Sequence, residues 1–165
     1  MKQLKQFRTL GEGPRNDTAT HHWRGGHSGF ERCWNHPANW VEEKVPGWRS
    51  HVHIDGHCRY APVIVQPCDD ITSLTLTTGA VLTVGIYGEL TVDGLFDPVG
   101  SGLINSGHIR NYGELLLRNA GPYGLRNAGY ILNAGMFFFD DLQLQEQMCN
   151  DPRFENEGEI VDLSC

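Results

Sequence analysis

From Leu103 to Leu115 the chain reads Leu-Ile-Asn-Ser-Gly-His-Ile-Arg-Asn-Tyr-Gly-Glu-Leu, which contains one seven-residue unit twice. The unit is an apolar residue, any residue, Asn, any residue, Gly, any residue and a second apolar residue. Six copies occur in the chain, and they begin at Leu103, Ile109, Leu117, Leu125, Ile131 and Phe154. Repetition at this spacing predicts a solenoid, because one unit cannot bury its apolar face without stacking on its neighbours.

The Asn and Gly of each unit predict a tight corner between two short strands. Gly adopts positive φ without steric cost, and Asn tolerates a left-handed conformation while its side chain bonds to nearby backbone. If corners stack from coil to coil, their Asn amides are expected to form a hydrogen-bonded ladder along the axis. The predicted corner residues are Asn105, Gly107, Asn111, Gly113, Asn119, Gly121, Asn127, Gly129, Asn133, Gly135, Asn156 and Gly158.

The spacing of the units predicts the fold class. The first five Asn residues lie six, eight, eight and six positions apart, which suits short strands and leaves no room for helices. β-branched runs punctuated by Gly continue upstream through residues 71–96. We therefore expect an all-β fold, a single-stranded parallel β-helix of either hand. Its coils would span residues 60–165, with a loop or short helical turn inserted at 140–153 and an N-terminal extension and cap at 1–59.

Composition narrows the classes of partner. The formal net charge is −7, whereas a protein that binds nucleic acid normally presents a basic face. The chain has no apolar run long enough to span a membrane, and its first ten residues lack the apolar core of a secretion signal. We expect no nucleic-acid partner, no membrane span and no cofactor. Either the protein is not exported by the route that such a signal serves, or the sequence is that of a processed or recombinant form.

Aromatic residues distinguish the first sixty residues. All four tryptophans and seven of the eight histidines precede residue 58. A solenoid needs a cap because its terminal coil exposes unpaired strand edges and core side chains. We expect Trp34, Trp40 and Trp48 to form the core of that cap, with stacking on sugar rings as the alternative.

The cap contains a recognisable order of residues, Trp34-Asn-His-Pro-Ala-Asn39-Trp40 followed by Val45-Pro46 and a Val-x-Ile strand. This order resembles the entry motif of bacterial secreted adhesin-like and autotransporter-type β-solenoid repeat proteins. Two departures are that Arg49-Ser50 stands where acidic residues are usual and that His36 interrupts the motif's spacing. The resemblance covers residues 34–137. It implies a structural role at the cell surface or outside the cell, and it identifies no ligand.

Three histidines are weak candidates for a metal site. His51 and His53 alternate with apolar residues, so both would project from one face of a strand, and His57 follows after a turn. Zinc accepts imidazole and thiolate ligands, but no familiar paired spacing is present. The simpler interpretation, polar side chains on a half-exposed strand, is the expectation here, and no metal is assigned.

Five cysteines allow two interpretations. Cys149 with Cys165 would tie the last coil to the insertion, and Cys58 with Cys68 would close the first coil. Cys33 would then be free or intermolecular, and the protein would belong in an oxidising compartment. The alternative is five reduced thiols in a cytosolic protein.

Catalysis is an alternative from another class, because right-handed β-helices include polysaccharide lyases and hydrolases. Such sites need clustered carboxylates on one face. Asp140-Asp141 and Asp69-Asp70 are adjacent pairs, but neither has an evident partner at coil spacing. Arginines precede Asn in three units, at Arg110, Arg118 and Arg126, and are expected to solvate the outer faces.

The C-terminal coil favours assembly, because no helix or polar segment follows Glu159 to Cys165 to cover it. The leading hypothesis is a non-catalytic structural module that associates with copies of itself or with a larger surface appendage, for instance as a filament subunit. The cap of one copy would lie on the last coil of the next, a heterologous contact. The alternative is a monomeric carbohydrate-binding module whose last coil is covered by its own insertion.

Overall fold

The computed structural model describes residues 18–96, 102–120 and 124–163, so Gly121 and Cys165 lie outside the described residues. In these ranges the chain forms fourteen short strands, one α-helix and two 3₁₀ turns, at Pro37–Asn39 and Gly94–Phe96. The strands are β1 (Thr20–His22), β2 (His51–Ile54), β3 (Val63–Ile64), β4 (Ser73–Leu76), β5 (Val81–Val84), β6 (Glu89–Asp93), β7 (Leu103–Asn105), β8 (His108–Asn111), β9 (Glu114–Arg118), β10 (Leu125–Asn127), β11 (Tyr130–Asn133), β12 (Met136–Phe139), β13 (Phe154–Asn156) and β14 (Glu159–Asp162), and the helix is α1 (Leu142–Cys149).

The strands pair in parallel and form the three sides of a β-solenoid. The first sheet has the order β1-β2-β4-β7-β10, the second β3-β5-β8-β11-β13 and the third β6-β9-β12-β14. From β4 to β12 the chain visits the first, second and third sheets in turn, once in each coil. The predicted all-β parallel helix is confirmed, with about four coils and a cluster of aromatic side chains at its N-terminal end.

The coil that runs from Leu103 to Gly124 is 22 residues long, and three Asn-x-Gly units begin in it, at Leu103, Ile109 and Leu117. Leu103 pairs with Leu125, and Ile109 pairs with Ile131. The units that begin at Leu103 and Ile109 therefore mark two of the three corners, between the first and second sheets and between the second and third. The unit that begins at Leu117 falls at the third corner, where the backbone has a different form.

Alternation along each strand builds the core. In β8 the buried Ile109 and Asn111 alternate with the exposed His108 and Arg110. Inward residues stack in columns through the coils, since Ile109 lies between Leu82 and Ile131 in the parallel register. Complete burial of each such aliphatic side chain stabilises the fold by roughly 1.5–3 kcal/mol relative to exposure.

The repeat glycines are required by close approach of backbones, and the predicted positive φ is wrong for them. Among the described residues, positive φ at glycine occurs at Gly25, Gly26, Gly29 and Gly79, all outside the repeat units. At Gly135, by contrast, a Cβ atom would lie well within 3.0 Å of the carbonyl oxygen of Gly113 in the preceding coil. The absence of a side chain lets successive corners stack at the spacing of paired strands. The other described repeat glycines meet the coil before them in the same way: Gly107, Gly113, Gly129 and Gly158.

The predicted Asn ladder is present at both regular corners. Between the first and second sheets, the Asn105 amide donates to Asn127 at 2.8 Å. Between the second and third sheets, Asn111 donates to Asn133 and Asn133 to Asn156, each at 2.7 Å. These bonds fix the register of successive coils, because a shift by one residue would separate every pair.

Asn119 does not belong to either ladder. It has a positive φ of 52°, its side-chain amide donates to Asp93 and its backbone N–H donates to Asp140. The predicted left-handed Asn therefore occurs at the irregular third corner, and Asn119 is the only Asn among the described residues that adopts it.

The insertion at 140–153 contains α1, in agreement with the predicted loop or short helical turn. Asp141 caps the helix, with its carboxylate accepting from the backbone N–H groups of Gln143 and Leu144. The helix occupies the place in the chain that a first-sheet strand has in earlier coils. Its buried Leu144 and Met148 pack on the core, and Gln147 donates to the carbonyl of Leu125 in β10.

The first sheet begins inside the segment that the sequence assigns to the cap. β1 pairs with β2 and β2 with β4, and Val52 and Ile54 of β2 are buried in the common core. Cap and coils are thus interleaved in the chain before residue 60. None of the helices in the described ranges is long and apolar enough to cross a membrane.

Candidate docking surfaces at the two ends

Three tryptophans form the interior of the cap. Trp23, Trp34 and Trp40 are buried, and the Trp40 ring meets the other two edge to face, with centroids 5.0 and 4.8 Å away. The indole N–H of Trp40 donates to the carbonyl of Trp34, and that of Trp23 donates to the carbonyl of Tyr60. Burial of Trp34 and Trp40 confirms their expected role as cap core and leaves them no face for a sugar ring.

Trp48 contradicts the expectation that it belongs to this core. Its side chain is 58% exposed, and the Arg49 guanidinium lies 4.4 Å from its ring centroid. The sequence pattern did not distinguish Trp48 from Trp34, because both lie in the aromatic-rich segment before residue 58. Trp23, which the expected core did not include, occupies the buried position instead.

The remaining residues of the entry motif hold the cap together. Asn39 is fully buried; its amide donates to the carbonyls of Phe30 and Cys33, and its side-chain oxygen accepts from the His27 N–H. Pro46 is buried, and Val45 packs against the core from a half-buried position. Asn39 thus provides the polar centre of the cap.

Backbone groups at the N-terminal end are already paired. The Val41 N–H donates to the carbonyl of His22, and the Glu42 carboxylate accepts from the backbone N–H and the ring Nδ1 of His22. On the second sheet, the Cys33 carbonyl accepts from both His36 and Asn39. The cap therefore covers these two sheet edges and leaves no ready backbone template there.

The three candidate metal ligands do not converge. His51 and His53 project from one face of β2 as predicted, but His51 bonds to the Ser73 hydroxyl at 2.7 Å. The His53 ring packs against His22 with centroids 5.6 Å apart, and His57 lies in an exposed turn. Across residues 18–96, 102–120 and 124–163, no three His, Cys, Asp or Glu side chains are grouped so that they could hold a metal.

The expected bond between Cys58 and Cys68 is not formed. Both are free thiols, as are Cys33 and Cys149. The Cys58 thiol donates to the Trp23 carbonyl and the Cys68 thiol to the Glu89 carbonyl, so the two side chains serve different parts of the core. Burial raises the pKa of Cys68 to about 12, and the nearby Asp69 adds to the effect. Of the expected pair of Cys149 with Cys165, Cys149 is thus also a free thiol, and Cys165 lies outside the described residues.

Carboxylates gather at the third corner, and one of them, Asp93, was not among the residues that the sequence analysis singled out. The Arg118 guanidinium bonds to Asp93 at 2.9 Å and to Asp70 at 3.0 Å. Asn119 joins Asp93 to Asp140 in the next coil. Asp93 was missed because its coil partner is an arginine, not a second acid. These contacts tie successive coils together where the Asn ladder is absent.

The C-terminal end presents two strands that are paired on one side. β13 pairs with β11 and β14 with β12, and no strand in the described ranges lies on their outer sides. Phe154 and Ile160 remain half-buried there. Outward acidic side chains follow one another at Glu155, Glu157 and Glu159, all exposed. This end therefore combines core side chains that are only half-buried with three exposed acidic side chains.

A shallow groove of about 380 Å³ lies at the opposite end, beside β3 of the second sheet. Its apolar wall is built by Phe30 and Tyr60, with Phe30 54% exposed. The exposed Arg32 lies at the groove, and the Arg59 guanidinium lies 5.3 Å from the Tyr60 ring centroid. The full lining is Gly29, Phe30, Glu31, Arg32, Cys33, Tyr60, Val63 and Val65.

Comparisons with protein-family models, with curated proteins and with solved structures gave no match.

Proposed function

We propose that this chain is a non-catalytic structural module of a bacterial surface or extracellular assembly, such as an adhesin-like rod or filament, in which copies associate head to tail. The observation that carries the proposal is the contrast between the two ends of the solenoid. The N-terminal end is closed by a hydrogen-bonded aromatic cap, whereas β13 and β14 leave half-buried core residues at the other end.

The distribution of charge favours contact between unlike ends. Among the described residues, 140–163 contain eight acidic residues and one basic residue, whereas 18–60 contain five basic and four acidic residues and seven histidines. Two C-terminal ends would repel each other, because like charges meeting at an interface are unfavourable. A C-terminal end that approaches an N-terminal end avoids this repulsion, because basic and acidic residues nearly balance there.

The insertion covers one part of the last coil. α1 lies over the end of the first sheet, where Gln147 reaches Leu125 and Asn127 donates to Asp151. The outer sides of β13 and β14 remain unpaired in the described residues. This partial cover supports association through the second and third sheets, and it weighs against the monomeric alternative.

Sedimentation velocity over a wide range of protein concentration tests the proposal. We expect the weight-average sedimentation coefficient to rise with concentration at low ionic strength. In about 0.5 M salt the rise should shift to higher concentration, because screening weakens contacts between exposed charges. A single species of 18.5 kDa at every concentration and salt level would contradict the proposal.

A further inference from the structure

We propose that the groove beside β3 receives the outer edge of β13 from a second copy, and that Glu155 of that copy lies beside Arg32. This inference rests on the proposed head-to-tail association and specifies its contact site. The groove and β13 are at opposite ends of the same sheet, the second, so a copy displaced along the solenoid axis brings them together.

Paired residues of the second sheet form a column that runs from the groove to β13. Cys33, which lines the groove, pairs with Val63, and the outward column then continues through the coils to Glu155. In order, the column is Cys33, Val63, Thr83, Arg110, Leu132 and Glu155. If a second copy continues the column, its Cys33 follows Glu155 of the first.

The two surfaces have complementary chemistry. The groove offers the exposed apolar surface of Phe30, and the Arg32 side chain has no hydrogen bond or ion pair within the described residues. The edge of β13 offers the half-buried Phe154 and the exposed carboxylate of Glu155. In the contact, Phe30 and Phe154 would bury apolar surface against each other. Beside them, Arg32 and Glu155 would form an ion pair that is partly shielded from water.

One carboxylate of the groove has the same sign as Glu155. The Glu31 carboxylate accepts a hydrogen bond from the Gly29 N–H at 3.1 Å. Hydrogen bonds from the backbone N–H groups of Glu31 and Gly29 lower the pKa of this carboxyl, so it is charged at neutral pH. Within the lining Arg32 balances Glu31, and Arg59, which lies over the Tyr60 ring, adds a positive charge beside the groove. The contact is made by side chains, because the Cys33 carbonyl is already occupied by His36 and Asn39.

Charge exchange tests the pairing. Arg32→Glu and Glu155→Arg each place like charges in the contact, and each should weaken association at least about tenfold. The double variant restores an opposite pair and should associate within about threefold of the unmodified protein. Arg110→Glu is the matched control, because it makes the same charge change at an exposed position in the middle of the same column.

Cross-linking gives a second measurement that needs no loss of function. In Glu155→Cys, the new thiol should form an intermolecular disulfide with Cys33 on mild oxidation, identified by mass spectrometry of the linked peptides. The same change made at Glu146, exposed on α1, should give no link to Cys33.

The outcomes separate the two proposals. If the unmodified protein associates but both charge variants behave like Arg110→Glu and no link to Cys33 forms, the groove assignment is wrong and head-to-tail association stands. If the unmodified protein stays monomeric, the proposed function fails and the groove assignment fails with it.

Discussion

The side-chain amide of Asn111 donates to the side-chain oxygen of Asn133, one coil away, at 2.7 Å. Asn133 repeats the contact with Asn156 and also donates to the carbonyl of Glu159 at 3.1 Å. Asn111, which also donates to the carbonyl of Met136, and Asn133 therefore each link their own coil to the next through two amide donations. Because these groups are shielded from water at the corner, the bonds define the register of the stack.

Removal of Asn133, in the middle of the ladder, should lower the free energy of unfolding much more than removal of Asn156 at its end. Asn133→Ala deletes both donations and leaves a buried amide hydrogen of Asn111 without its acceptor, a loss of about 2–4 kcal/mol in the free energy of unfolding. Asn156→Ala removes an exposed partner and should cost about 1 kcal/mol or less. Urea unfolding of the two variants measures the difference, and equal losses would show that the ladder contributes little.

Substitution of a repeat glycine should destabilise the fold by steric conflict alone. Gly135→Ala places a Cβ against the backbone of Gly113, which cannot move without separating two coils. We expect a loss of at least about 2 kcal/mol. Gly47→Ala is the control, because its Cβ would meet only the Asp69 side chain at 3.4 Å and its φ is ordinary. Thermal unfolding compares the two variants, and equal melting temperatures would contradict the steric explanation.

The fold could be predicted because the unit is local and repeats. Apolar residues on either side of Asn-x-Gly have one arrangement that buries them all, and the parallel register of Ile109 with Ile131 follows from it. The reason for the glycine could not be read in the same way. Positive φ and close backbone approach both select Gly, and only the position of the preceding coil distinguishes them.

Features that depend on contacts between distant residues were harder to predict. Trp48 and Trp34 both lie in the aromatic-rich segment before residue 58, yet Trp34 is buried and Trp48 is exposed. The free thiols of Cys58 and Cys68 likewise depend on the carbonyls that each reaches, at Trp23 and Glu89. The groove combines residues 29–33 with residues 60–65, and no motif in either stretch indicates the other.

The stability of the cap should depend on pH through His21. Its side chain is buried against Trp40, with centroids 6.3 Å apart, and burial lowers its pKa below the ordinary 6.5. The unfolded chain then binds this proton more readily, so stability falls as pH decreases from about 6.5 toward the lower pKa of the folded state.

His21→Phe removes the titrating group and keeps a ring in the site. The difference in unfolding free energy between this variant and the unmodified protein should shift in favour of the variant as pH falls below about 6.5. NMR titration of the His21 ring is an independent measurement. A midpoint at or above 6.5 in the folded protein would contradict the explanation.

The cysteines should differ widely in reactivity. Burial raises the pKa of both the Cys149 and the Cys68 thiols, but Cys149 is exposed, whereas the pKa of Cys68 reaches about 12. Because the thiolate is the reactive form, a disulfide reagent at pH 8 should label Cys149 rapidly and Cys68 only after unfolding. Mass spectrometry after short exposure identifies the labelled residues. Rapid labelling of Cys68 in the native protein would contradict the raised pKa of its thiol.

Electron microscopy of concentrated protein at low ionic strength tests the central claim most directly. Head-to-tail association predicts unbranched rods one solenoid wide, with all copies pointing in the same direction and lengths that increase with concentration. Isolated single copies under all conditions, or closed pairs joined through their acidic C-terminal ends, would contradict it.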